Sequence, residues 1–110
     1  MAYLVELTAR VEREVEEAVS YLTRYSPDKG MLLSYETDRA IESLAESPAR
    51  CPFAPECRED DEFAIRQLLV DQYRILFEIG DETVTVFHFR HQKRQLLSKA
   101  DLQNLKRERW

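Results

Sequence analysis

Arg74, His88, Arg90, His91, Lys93 and Arg94 concentrate one kind of chemistry in a single stretch of this chain. Arginine stays charged, and its planar fork matches two oxygens of a phosphate. Histidine exchanges protons near neutral pH. Such residues suit reaction at a phosphodiester with a neighbouring hydroxyl. A base takes the hydroxyl proton, cations stabilise the charged phosphorane, and an acid protonates the departing oxygen. Arg74, Arg90 and Arg94 can fill the cationic role, and His91 or His88 the proton transfers. Each also has a plainer reading. Arg74 can pair structurally with Glu78 on the same strand face, His88 can be a satisfied mid-strand histidine, and Lys93 can be a general phosphate or partner contact.

The elements that position these residues follow from local patterns. Tyr73–Ile79 and Thr83–His91 alternate as two antiparallel strands joined by a turn at Gly80-Asp81. In the first, Tyr73, Ile75, Phe77 and Ile79 share one face, with Arg74, Leu76 and Glu78 on the other. In the second, strict alternation places His88 and Arg90 on one face and Phe87, Phe89 and His91 on the other. Arg90 and His91 then share a pocket only if the strand bulges or ends between them. Residues 65–70 form a preceding strand, and 3–7 a first one. Thr8 caps a helix from Ala9 to about Tyr25, with an apolar stripe of Val11, Val15, Ala18, Leu22 and Tyr25 and with Glu12, Glu14, Glu16 and Glu17 outside it. Ser26-Pro27 opens a second helix, weakened by Gly30 in its first turn, that runs to about Glu46 and turns Leu33, Ala40, Ile41, Leu44 and Ala45 inward. Residues 48–62, with three prolines and the acidic run Glu59–Glu62, read as an irregular connection. Leu102 and Leu105, with Trp110, anchor a short, partly packed terminal helix. The order β-α-α-β-β-β-α implies an α+β fold, a helical hairpin on one face of a small, mainly antiparallel sheet whose other face is free.

With 110 residues and no long apolar run, the chain suits one domain over residues 1–97 with a basic helix or tail at 98–110, and a cytoplasmic location without membrane attachment. The net charge of −5 hides a split. Residues 88–110 hold seven basic against two acidic side chains, and residues 1–87 nine against nineteen. The basic end can attract phosphate or an acidic partner, while the acidic body discourages non-specific nucleic-acid binding. Cys51 and Cys57 fit neither a Cys-x-x-Cys pair nor a zinc ligand set, so free thiols are expected, with a reversible disulfide as the alternative. No metal or other cofactor is expected.

The segments Leu44–Pro48, Cys51–Glu56, Ile65–Leu69, Tyr73–Glu78 and Arg90–Arg94, in this order and spacing, resemble the RelE/ParE superfamily of toxins. The resemblance covers Tyr3 to about Arg94 and leans to the ParE-like, plasmid-stabilisation branch. It implies the toxin of a type II toxin–antitoxin module, inhibiting growth and held by a cognate antitoxin, either as a hetero-oligomer with it or as a homodimer. Some members cut messenger RNA in the ribosome as metal-independent endoribonucleases, whereas others block DNA gyrase without cutting anything. By resemblance, Arg74 matches the arginine that cutting members use against the scissile phosphate. Arg94 matches a second functional arginine, and His91 lies in an Arg-His-x-x-Arg element. The candidate catalytic set is thus Arg74, His91 and Arg94, and the candidate target-binding set is Arg90, Lys93 and Arg94. The cutting members' paired lysines are replaced here by Ile65 and Gln67, and their later tyrosine by Lys99-Ala100. These departures favour the gyrase-blocking reading over the ribosome-dependent nuclease. A non-toxic interaction protein is the third reading.

Overall fold

The computed structural model describes residues 2–57 and 63–108, so the acidic run Glu59–Glu62 and Trp110 lie outside the described residues. The elements are β1 (Leu4–Leu7), α1 (Ala9–Tyr25), α2 (Pro27–Ser43), a single 3-10 turn (Pro48–Arg50), β2 (Ile65–Val70), β3 (Tyr73–Ile79), β4 (Thr83–His91) and α3 (Lys99–Arg107). Side-chain caps punctuate the helices. The Thr8 hydroxyl accepts from the Val11 amide, Ser26 from Lys29, and Ser98 from Asp101 in a reciprocal capping box.

The sheet order is β1-β4-β3-β2. β1 runs parallel to β4, and β2, β3 and β4 form an antiparallel meander. The helical hairpin of α1 and α2 covers one face, burying Val11, Leu33 and Leu44 against Ile75, Phe77, Val84 and Phe89. Burial of such side chains contributes about 1.5–3 kcal/mol each. Gly30 sits at a close approach of α2 to α1. A Cβ there would clash with the Thr23 hydroxyl oxygen and lie 3.0 Å from the Thr23 amide nitrogen.

Three sequence expectations change. Tyr25, read onto the apolar stripe of α1, is 75% exposed at the last residue of that helix. The second sheet face is not free. α3 lies over it and buries Leu102 and Leu105 with Phe63, Ile65, Leu76 and Phe87. β4 also bulges: Leu76 pairs with His88 and Phe77 with Val86, which leaves Phe87 as the extra residue. Phe87 therefore joins His88 on the α3 side instead of alternating away from it. Among the described residues no helix is long and apolar enough to cross a membrane.

Candidate functional site

The bulge sets the geometry of the cationic end. Beyond it the register pairs Arg74 with Arg90 and Tyr73 with His91. Arg74, His88 and Arg90 face α3. His91 faces the helical hairpin, edge-on to Tyr73 with ring centroids 5.2 Å apart. The bulge precedes Arg90, so it does not bring Arg90 and His91 to one side. Arg74 and His91 stand on opposite faces of the sheet.

Arg74 is only 5% exposed. Its two terminal nitrogens grip the Glu56 carboxylate at 2.9 and 2.6 Å, and Nη1 also donates to Gln67 Oε1 at 3.0 Å. Its partner is thus Glu56, from the connection ahead of β2, and not the expected Glu78. The Glu56 side chain is 1% exposed and also accepts the Leu97 amide at 3.0 Å. Burial pushes its carboxyl up. The Arg74 hydrogen bonds, the Leu97 and Glu56 backbone amides and the Arg74 charge outweigh that and hold it below its ordinary value. This buried fork ties β3 to the loop before β2 and to the segment leading into α3.

Arg90 is likewise withdrawn, at 8% exposure. Nη2 donates to the Gln95 carbonyl at 2.7 Å, and Nη1 lies 3.3 Å from His88 Nε2. An arginine cannot accept, so His88 Nε2 must be a bare lone pair and Nδ1 must carry the proton. That proton points at Glu14, whose Oε2 lies 2.8 Å from His88 Nδ1, and Glu14 Oε1 also takes the Phe89 amide at 3.1 Å. A buried polar chain, Glu14–His88–Arg90–Gln95, therefore links α1, β4 and the approach to α3. Burial first, then the neighbouring charges of Arg94 and Arg74, lower the Arg90 pKa from its usual value. Arg90 Nε, buried, finds no partner among the described residues.

A polar cavity of about 280 Å3 opens beside this chain, lined among others by Arg10, Arg94, Asp101 and Glu108. Arg10 pairs there with Glu108 of α3. Around this cavity the carboxylates Glu14, Asp101 and Glu108 stand against the cations Arg10, Arg90 and Arg94. Of the candidate target-binding residues, Lys93 and Arg94 are exposed, on the turn after β4, and Lys99, Lys106 and Arg107 of α3 are exposed as well. His91 accepts the Lys93 amide at Nδ1 (3.0 Å) and so donates from Nε2 to Gln72 Oε1 (3.1 Å).

The candidate residues thus divide. Arg74, Arg90 and Arg94 share the α3 side of the sheet, with Arg74 and Arg90 sequestered; Lys93 and Arg94 are presented to solvent; His91 belongs to the other face. Glu56 and Glu14 are the residues that sequence reading missed. The sequence reading groups Glu14 with the outer glutamates of α1, although its position three after Val11 and four before Ala18 is the signal that could have found it. Among the described residues no group of three His, Cys, Asp or Glu side chains converges to hold a metal ion. Cys51 and Cys57 are free thiols, and burial raises the Cys51 pKa, which makes that thiol less reactive.

Known proteins share this arrangement of elements. A solved structure described as the chromosomal ParDE toxin–antitoxin system from P. aeruginosa superposes with a TM-score of 0.66 at 10% identity, over 82% of this chain and 96% of that one. The toxin–antitoxin complex RelBE2 from Mycobacterium tuberculosis superposes with a TM-score of 0.54 at 22% identity, over 83% and 99%. These likenesses establish a RelE/ParE-type α+β fold. No curated protein matches by sequence. The family model for the ParE toxin of the type II toxin–antitoxin system parDE matches residues 5–96. The chain belongs to the ParE toxin family of type II toxin–antitoxin systems.

Proposed function

We propose that this toxin arrests growth by binding DNA gyrase without catalysing a reaction, and that a cognate antitoxin in the same cytoplasm holds it inactive. The observation that carries this reading is the Arg74–Glu56 fork. The arginine required against a scissile phosphate is spent on a buried carboxylate. A phosphate would have to displace a bidentate charged partner from a site closed by the Leu97 backbone. His91, the candidate acid or base, stands on the other face of the sheet. Of the candidate target-binding residues, Lys93 and Arg94 remain exposed, on a turn suited to an acidic surface on a partner. Arg90 supports that turn from below by holding the Gln95 carbonyl.

The test is a pair of measurements on purified toxin. Inhibition of gyrase supercoiling, with no transcript cleavage by primer extension after induction, is the expected result. Ribosome-dependent cleavage with supercoiling untouched would replace this reading with the nuclease.

A further inference from the structure

We infer that His91 and Gln72 are positioning residues that hold the Lys93–Arg94 turn in the shape presented to the target; this rests on the target reading given above. Three successive backbone amides fix that turn. The Gln92 amide donates to the Gln72 carbonyl at 2.8 Å, the Lys93 amide to His91 Nδ1 at 3.0 Å, and the Arg94 amide to the His91 carbonyl at 3.2 Å. Both cationic residues therefore hang by their amides on one histidine. The side chains so held are exposed, and among the described residues neither makes a salt bridge.

His91 can do this as one tautomer only. A backbone amide always donates, so Nδ1 must be a bare lone pair and the ring proton must sit on Nε2. That proton goes to Gln72 Oε1 at 3.1 Å. The Gln72 side chain thus selects the tautomer that takes the Lys93 amide. With both nitrogens engaged, His91 holds a turn instead of moving a proton.

The Asp71-Gln72 turn between β2 and β3 is the template. Asp71 has a φ of 52°, the one positive value outside glycine among the described residues. That left-handed conformation costs aspartate less than a branched residue, and it reverses the chain within two residues. The Asp71 carbonyl accepts Gln92 Nε2 at 2.9 Å. On the α3 side, Arg90 closes the segment by holding the Gln95 carbonyl at 2.7 Å. A turn tied at this many points has little conformational freedom left to lose on binding, which is how pre-organisation raises affinity.

The test measures inhibition of gyrase supercoiling and backbone hydrogen exchange on full-length variants. His91→Phe keeps a ring against Tyr73 and removes both ring hydrogen bonds. His91→Asn puts an acceptor oxygen back at the position of Nδ1. Gln72→Leu removes only the acceptor for the Nε2 proton. His91→Phe should need about fivefold more toxin for half-inhibition, the effect of one ordinary hydrogen bond, with faster exchange at the Lys93 amide. His91→Asn should regain the Lys93 protection and lie within about twofold of the native chain. Gln72→Leu should fall between the two. Native-level inhibition by a folded His91→Phe whose Lys93 amide exchanges freely would overturn the proposal and leave the target reading standing. So would lost inhibition in His91→Asn with the Lys93 amide still protected. Should His91→Phe not fold, Gln72→Leu decides, and native inhibition by it would overturn the proposal. Absence of inhibition by the native toxin would overturn the target reading, and this proposal with it.

Discussion

Arg74 and Glu56 show how one residue's partner changes its meaning. Removing one member of a buried ion pair leaves the other charge uncompensated, which costs about 3–5 kcal/mol. Arg74→Ala should therefore lower stability by that amount in urea unfolding, and Arg74→Ala with Glu56→Leu should recover much of it. A catalytic arginine would instead give a stable, inactive variant. The Glu56 carboxyl also makes stability depend on pH. Its folded value lies below the ordinary 4.5, so its contribution is complete above the unfolded value and is lost as pH falls through the folded one. The urea midpoint of the native chain should fall more steeply below pH 4.5 than that of Glu56→Gln. Parallel slopes in the two proteins would disprove this account of the fork.

At the scale of elements, Gly30 links sequence to packing. In the sequence it is a weak helix residue, about 1 kcal/mol worse than alanine. In the fold it is the close approach of α2 to α1, where a Cβ would press on Thr23. Overpacking costs about 1–3 kcal/mol, so the clash should outweigh the propensity gain and Gly30→Ala should lower the melting temperature. Adding Thr23→Ala should recover only part of the loss, since the Thr23 Cβ and amide nitrogen, each 3.0 Å from the new Cβ, remain. A rise in melting temperature for Gly30→Ala alone would show that the helices part without cost. The bulge at Phe87 acts at the same scale. One extra residue in β4 sends an aromatic side chain to the α3 core and allows Leu102 and Leu105 to close that face.

For the whole molecule, the charge split becomes a surface argument once internal pairing is subtracted. Arg10, Arg74 and Arg90 are engaged within the fold, which leaves Lys93 and Arg94 as the exposed members of the candidate target-binding set. Lys93→Ala with Arg94→Ala should abolish growth arrest while stability changes by less than about 0.5 kcal/mol, since exposed cations contribute little to folding. Arg90→Ala should differ, losing stability as well as activity, because it empties a buried site between β4 and α3. Full growth arrest by a folded Lys93→Ala, Arg94→Ala variant would move the target surface elsewhere.

The sequence by itself determined the elements and their caps. Alternation in residues 65–91, the stripe along α1, and Thr8, Ser26-Pro27 and Ser98 are local signals, because each acts on neighbours within one or two turns. It also carried the family, through short motifs spread in order along the chain. Only the tertiary structure decided what those elements present. Arg74 could not be matched to Glu56 from strand periodicity, since its carboxylate comes from a loop eighteen residues away. The bulge depends on register between two strands, and one extra residue reassigns a side chain to the opposite face. The sequence reads Glu14 as lying outside the apolar stripe of α1, and that it holds His88 depended on where β4 lies beneath α1. Burial turns a cation from a reagent into a structural member, and burial is a property of the assembled layers.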